Sequence, residues 1–273
     1  MKTMKFIVVL LATAAVPLAA QWLNYPEAWT PHTRDGKPNL TAPAPRMNGK
    51  PDLSGVWQAE RTLEDFTKVL GPDPTKIQVD LNDVTKYTDN LFWDIKPEEQ
   101  PLRPEAAAIL AQRKGLIPPA STCLPAGIPG SLFILTFKVI QAPREIVILH
   151  EDGDPARQIY TDGRPLPKDP QPSWMGYSVG KWDGDRLVVE TIGFNDQSWL
   201  DARGHPHTDA LRVTERFRRP DFGHIELRAT IDDPKAYSRP WTVTIPIELM
   251  PDTELLEQVC NENEKDVPHL IGK

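Results

Sequence analysis

The sequence predicts an all-β protein, an antiparallel meander closed into a barrel of about 8–10 strands, with one short helix. Three observations carry that expectation. Proline supplies 29 of the 273 residues, about twice the usual ~5%, and it ends helices and central strands. From residue 132 onward, apolar runs of strand length follow one another, several alternating with period two. No helical pattern separates consecutive runs, which argues against βαβ units and a parallel sheet.

Taken in order, residues 1–20 (MKTMKFIVVLLATAAVPLAA) read as a secretory signal. Lys2 and Lys5 give the positive start, Phe6 to Val16 the apolar stretch, and Pro17 to Ala20 the exit, with cleavage near Ala20. That apolar stretch is too short to span a bilayer core of ~30 Å as a helix. The chain is therefore expected to be exported, periplasmic or extracellular, with no stable membrane insertion. Residues 21–52 are rich in proline and look like an extended arm laid on the domain, because Trp22, Tyr25 and Trp29 are too apolar for a solvated tail. The remainder, 53–273, reads as a single β-barrel domain with a helical insertion near 103–115. There Pro104 opens a helix, Arg113 and Lys114 close it, and Gly115 follows.

Strands are expected at 132–140, 144–150, 156–161, 174–182, 185–193, 210–218, 223–231, 241–249 and 255–260, with 53–59 as a tenth. In an up-and-down meander successive links fall at opposite ends. The three long links (162–173, 194–209 and 232–240) should then share one end of the barrel, the end where small barrels hold ligands.

A charged fraction of 25% beside 40% hydrophobic residues describes a soluble globular protein, and a net charge of −7 argues against nucleic acid as a partner. The two cysteines, Cys123 and Cys260, are most simply a disulfide in an oxidising compartment, tying the segment before the first long strand to the last one. A catalytic thiol is the rival reading.

Candidate chemistry concentrates in the loop 194–209 (FNDQSWLDARGHPHTD). His207 is a candidate general base, with Asp201 to orient it, and His205, Asp196 and Trp199 stand beside them. His205-x-His207 is half of a metal site that no other spacing completes, so neither metal nor cofactor is implied. Arg157, Asp162, Arg164 and Trp174 suit a small organic ligand that is anionic, aromatic or sugar-like. The blander reading is a turn at Asp162-Gly163 and a structural ion pair at Arg157. Glu215 shares its strand face with Leu211, Val213 and Phe217. An inward carboxylate must be paired or have its pKa raised, so Glu215 is either half of a buried Glu–Arg pair or an acid/base residue inside the barrel. Gly176-Tyr177-Ser178-Val179-Gly180 matches the G-x-S-x-G nucleophile elbow. A hairpin follows it where that motif needs a helix, so the glycines read as points of close packing.

Two resemblances stand on particular residues. RQIYTDGR (157–164), SWMGYSVGKWDGDRLVVETIGFND (173–196), TERFRR (214–219) and LLEQVCNEN (255–263), with Cys123-Leu124-Pro125, resemble a large family of uncharacterised exported bacterial proteins. That resemblance covers about 120–263 and implies export without implying an activity. Gly55-Val56-Trp57 resembles the G-x-W of the lipocalin/calycin barrels, which implies a first strand whose Trp closes one end of a ligand-binding barrel. The long interval before the next clear strand departs from that pattern.

Three functions follow as expectations. The first is a small-molecule-binding barrel with its site at the long-loop end. The second is a metal-independent hydrolase, lyase or isomerase using His207 with Asp201 or Glu215. The third is an envelope structural or assembly protein.

Overall fold

The computed structural model describes residues 27–60, 90–133, 136–151 and 153–260. The expected signal segment, Trp22 and Tyr25 lie outside the described residues. The arm ends in a two-stranded ribbon, β1 (Arg46–Met47) and β2 (Lys50–Pro51). It lies against the end of the barrel where Phe222 and Gly223 donate to the Ala42 and Leu40 carbonyls, and the Trp29 and Phe222 ring centroids are 5.5 Å apart.

The barrel strands are β3 (Gly55–Ala59), β4 (Phe137–Gln141), β5 (Glu145–His150), β6 (Arg157–Tyr160), β7 (Tyr177–Asp183), β8 (Arg186–Ile192), β9 (Arg212–Arg218), β10 (His224–Asp232) and β11 (Trp241–Leu249). They close in the order β10-β11-β3-β4-β5-β6-β7-β8-β9. The single α-helix among the described residues is α1 (Pro104–Arg113), with Gly115 following it at φ +80°. Period-two sequence becomes period-two burial: along β11 every second side chain, from Trp241 to Leu249, is buried.

Three sequence expectations change. The run 255–260 forms no strand, because β11 is already paired on both sides, by β10 and β3, and a closed barrel offers no free edge. The strand expected at 132–140 begins at Phe137, after a 3-10 turn at Gly130–Leu132. The meander is also broken once: β6 and β7 pair in parallel, with Ile159 beside Ser178. Parallel neighbours need a crossover, so the link 161–176 runs the length of the barrel instead of staying at one end. The links 193–211 and 233–240 do share an end, and the short link 151–156 joins them there. The two-residue hairpin at Gly184-Asp185 and the turn 219–223 lie at the opposite end.

Among the described residues the part of the interior nearer the arm is closely packed. Leu53, Phe137, Val139, Ile148, Leu187, Phe217, Ile225 and Ile247 surround a void of about 10 Å³, where small-molecule sites enclose roughly 300–1,000 Å³. Trp57 is fully buried, its indole N–H donates to the Leu53 carbonyl, and the Arg219 guanidinium lies 4.8 Å from its ring centroid. Cys123 and Cys260 form a disulfide, with Cα atoms 5.7 Å apart. Cys260 sits beyond β11 in irregular chain, so the bridge ties that segment, not a last strand, to the region before β4.

Gly176 and Gly180 are close-packing positions. A Cβ at Gly176 would stand 2.8 Å from Thr191 Cγ2, and one at Gly180 2.9 Å from Ile159 Cγ2. Ser178 between them faces the interior and no helix follows, so the elbow geometry is absent.

Candidate functional site at the loop end

Inside the barrel, β6 and β9 face each other through a buried ion pair. Arg157 Nη1 donates to Glu215 Oε1 at 3.0 Å, and its Nη2 contacts Glu215 Oε2. Nε donates to Ser178 Oγ at 3.2 Å and Nη2 to Thr191 Oγ1 at 3.0 Å. Every nitrogen of the guanidinium is occupied. Of the two readings open for Glu215, the structure places it in the Glu–Arg pair.

Above this layer, the 193–211 link is clamped from four sides. Leu91 N–H donates to Asp201 Oδ2 at 2.8 Å. Arg113 at the end of α1 donates to the Gly204 carbonyl and stacks 4.9 Å from the Trp199 centroid. Tyr237 donates to the Pro206 carbonyl at 2.8 Å. Asp233 accepts from Thr208 N–H and Oγ1 at 2.6 and 2.9 Å.

Within that clamp the two histidines have different partners from those expected. Asp201 Oδ2 is 2.6 Å from Nδ1 of His205, not from His207. His207 bonds through Nε2 to Ser198 Oγ at 2.8 Å and through Nδ1 to the Thr208 carbonyl at 3.3 Å. A carbonyl only accepts, so Nδ1 carries the hydrogen and Nε2 accepts from the serine. Burial holds the His207 pKa below its usual value. His207, Asp201 and Glu215 therefore belong to three separate hydrogen-bonded pairs. No group of three metal-ligating side chains forms among the described residues.

The expected ligand-binding residues are also divided. Asp162 and Arg164 pair at 2.7 Å, and the guanidinium lies 3.8 Å from the Tyr160 centroid on the outside of β6. The hydrogen bonds from Arg164 hold the Asp162 carboxyl down to about 2. Trp174, Trp199 and His205 do gather at the loop end.

Sequence reasoning missed Ser198, Asp233, Phe92 and His150. Asp233-Pro234 carries a turn signature that pointed to it, since Asp233 also accepts from the Lys235 and Ala236 N–H groups. The other three carry no local signal. Phe92 packs on His205 and Trp241, at centroid distances of 4.6 and 4.1 Å.

Three buried ring nitrogens at this end have no hydrogen-bond partner: His150 Nε2, His205 Nε2 and Trp241 Nε1. His150 closes β5 and donates through Nδ1 to the Ser131 carbonyl at 3.1 Å. Burial, then the nearby charge of Arg157, lowers its pKa from 6.5 to about 4. The unfolded chain takes up this proton near pH 6.5 and the folded protein resists it down to about 4. The resulting stability is therefore present above pH 6.5 and lost as pH falls to 4. We expect this histidine to remove about 3 kcal/mol across that window, with His207 acting in the same direction. Urea midpoints at pH 7 and pH 4.5 measure it, and a profile just as steep in His150→Phe would contradict the assignment.

Fold and site together define a disulfide-linked all-β barrel whose loop end holds a clamped pair of histidines. Compared with family models, curated proteins and solved structures, the chain matches none.

Proposed function

We propose that the protein is an exported small-molecule-binding barrel with its site at the loop end, at the rim of the barrel. One observation carries this reading. Buried polar groups are almost always hydrogen-bonded, yet His150, His205 and Trp241 leave ring nitrogens unpartnered at that one end. A mostly apolar site orients its ligand by a few polar groups of this kind. The disulfide, and the absence among the described residues of any helix long and apolar enough to cross a membrane, are compatible with export.

Titration of aromatic, sugar-like and anionic compounds, followed by tryptophan fluorescence, tests the reading. A saturable change is expected for one class and is expected to disappear in Trp241→Phe. A flat response to all three classes sinks the proposal. Export is tested on protein taken from its own host, where a mature chain beginning at Gln21 is expected.

A second reading, a metal-independent hydrolase, is favoured by the Ser198–His207 contact. In it the hydroxyl is the nucleophile, and His207, neutral at pH 7, takes its proton. Incubation with a fluorophosphonate then yields one phosphonyl adduct with loss of fluoride, absent in Ser198→Ala. An unmodified intact mass removes this reading.

A further inference from the structure

We infer that the outer wall of the barrel, across β8, β9 and β10, binds a linear acidic polysaccharide through four exposed arginines, Arg186, Arg216, Arg218 and Arg228. The register places them together. Arg186 stands opposite Arg218, and two residues back along β9, Arg216 stands opposite Arg228. The side chains that alternate with them, Leu187, Phe217 and Leu227, are buried, so all four arginines project from the outer face. Neighbouring strands lie about 4.8 Å apart and alternate residues of a strand about 6.8 Å apart, so the four rise from one small patch. Exposed Lys181 on β7 extends the row of Arg228, Arg216 and Val188.

Like charges directly opposite one another weaken a sheet, and nothing within this patch offsets them. Among the described residues, none of the five basic side chains has an ion pair or a hydrogen bond. Asp183 and Glu226 stand opposite Arg186 and Arg218 without closing an ion pair. Asp185, next in sequence to Arg186, is already held by Arg46 at 2.8 and 3.1 Å. Arg212, on the same face of β9, shows the ordinary arrangement, donating to Glu190 at 3.0 Å. Unpaired guanidinium forks suit carboxylates arriving from outside, which they take two hydrogen bonds at a time. The chain's net charge of −7 does not cancel the patch, because exposed charges are screened beyond about 8 Å at physiological ionic strength.

The surrounding face selects among anionic partners. β8, β9 and β10 expose no large apolar side chain to enter a lipid layer and no aromatic ring to stack on a base. A closed barrel has no edge for an acidic peptide to pair with as an added strand. Hydroxyl groups adjoin the arginines instead. Thr244 stands opposite Arg228, and Thr214, Thr230 and Thr242 form the next row. Guanidinium groups beside hydroxyls fit a chain that carries both carboxylates and hydroxyls, which is a polymer of uronic acids. Arg186 and Arg218 lie towards the Gly184-Asp185 hairpin, at the end of the barrel opposite the histidines, so this surface stands apart from the loop-end site.

The probe is polygalacturonate, with one carboxylate on each sugar, and its methyl ester is the uncharged control. Calorimetry at low salt is expected to show saturable binding of the acid alone, weakening as sodium chloride is raised. In Arg216→Gln, Arg228→Gln the affinity should fall about tenfold or more, through loss of two charge-assisted contacts. Lys96→Gln, Lys114→Gln removes the same charge from exposed positions outside the barrel strands and should change it by less than about twofold. The arginine variant should unfold at a urea concentration no lower than wild type, since opposed like charges have been removed. A lower midpoint would show that the arginines serve the fold, and overturns the inference. So does an absence of binding, equal binding of the methyl ester, or equal loss in the two variants. Binding as tight to poly-L-glutamate, to phosphatidylglycerol vesicles or to duplex DNA also overturns it and assigns the surface to a peptide, a membrane or a nucleic acid. None of these outcomes bears on the loop-end site, whose ligands are read by tryptophan fluorescence.

Discussion

Replacing Glu215 by Leu is expected to destabilise the protein by about 3–5 kcal/mol, because it leaves the Arg157 guanidinium charged and unpaired inside the barrel. Both side chains are almost wholly inaccessible, at 1% and 0% exposure. The Arg157→Met single variant should cost a similar amount by stranding the carboxylate. The informative protein is the double variant. With Arg157→Met and Glu215→Leu together, no buried charge remains, and the residual polar atoms have a partner already, since Ser178 Oγ and Thr191 Oγ1 lie 2.9 Å apart. We expect the double variant to recover most or all of the wild-type stability. Urea unfolding of the four proteins gives the coupling directly. A double variant as unstable as either single would show that the pair does more than satisfy itself, and would return Glu215 to the candidates for acid/base chemistry. If a single variant does not fold at all, rescue by the double is still readable.

The second large effect is expected from the disulfide. Cys123 and Cys260 are 137 residues apart in sequence, and closing so long a loop restricts the unfolded chain by about 5 kcal/mol in the chain-entropy view. Natural disulfides typically contribute about 2–5 kcal/mol, so the Cys123→Ala, Cys260→Ala variant should lose stability in that range, seen as a lower urea midpoint. The folded barrel should survive, because the bridge anchors chain beyond β11 and neither cysteine lies in a barrel strand. Limited proteolysis should therefore cut first between residues 250 and 260 in the variant, while β3 to β11 stay protected. Cleavage starting within the barrel strands, or an unchanged midpoint, would contradict this.

How much of this was legible beforehand depends on the range of the interaction. Alternation along β9 placed Glu215 on the inward face correctly, because a strand's side-chain period is a property of its own backbone. The helix was legible for the same reason, from Pro104, Arg113 and Gly115. Arg157 as the partner of Glu215 was one open reading among several, since 58 residues separate the two and only the closed sheet brings them together. The spurious strand at 255–260 failed on a global condition, the lack of a free edge.

At the loop end the division is sharper. Composition and spacing nominated 194–209, and that segment does hold the clamped histidines. They did not say which imidazole takes Asp201. His205 and His207 are two residues apart with similar neighbours, so which of them takes Asp201 was decided with Leu91, Tyr237 and Asp233, which arrive from elsewhere in the chain. The sequence by itself determined most of the barrel strands, their inward faces, the helix at Pro104–Arg113 and the loop richest in chemistry, since each depends on residues within a turn or a pleat of one another. Only the tertiary structure decided the parallel β6–β7 junction, the sealing of Glu215 by Arg157, and the pairing of Asp201 with His205. Those depend on which distant segments the closed barrel makes neighbours, and on the hydrogen bonds that buried groups must then find among them.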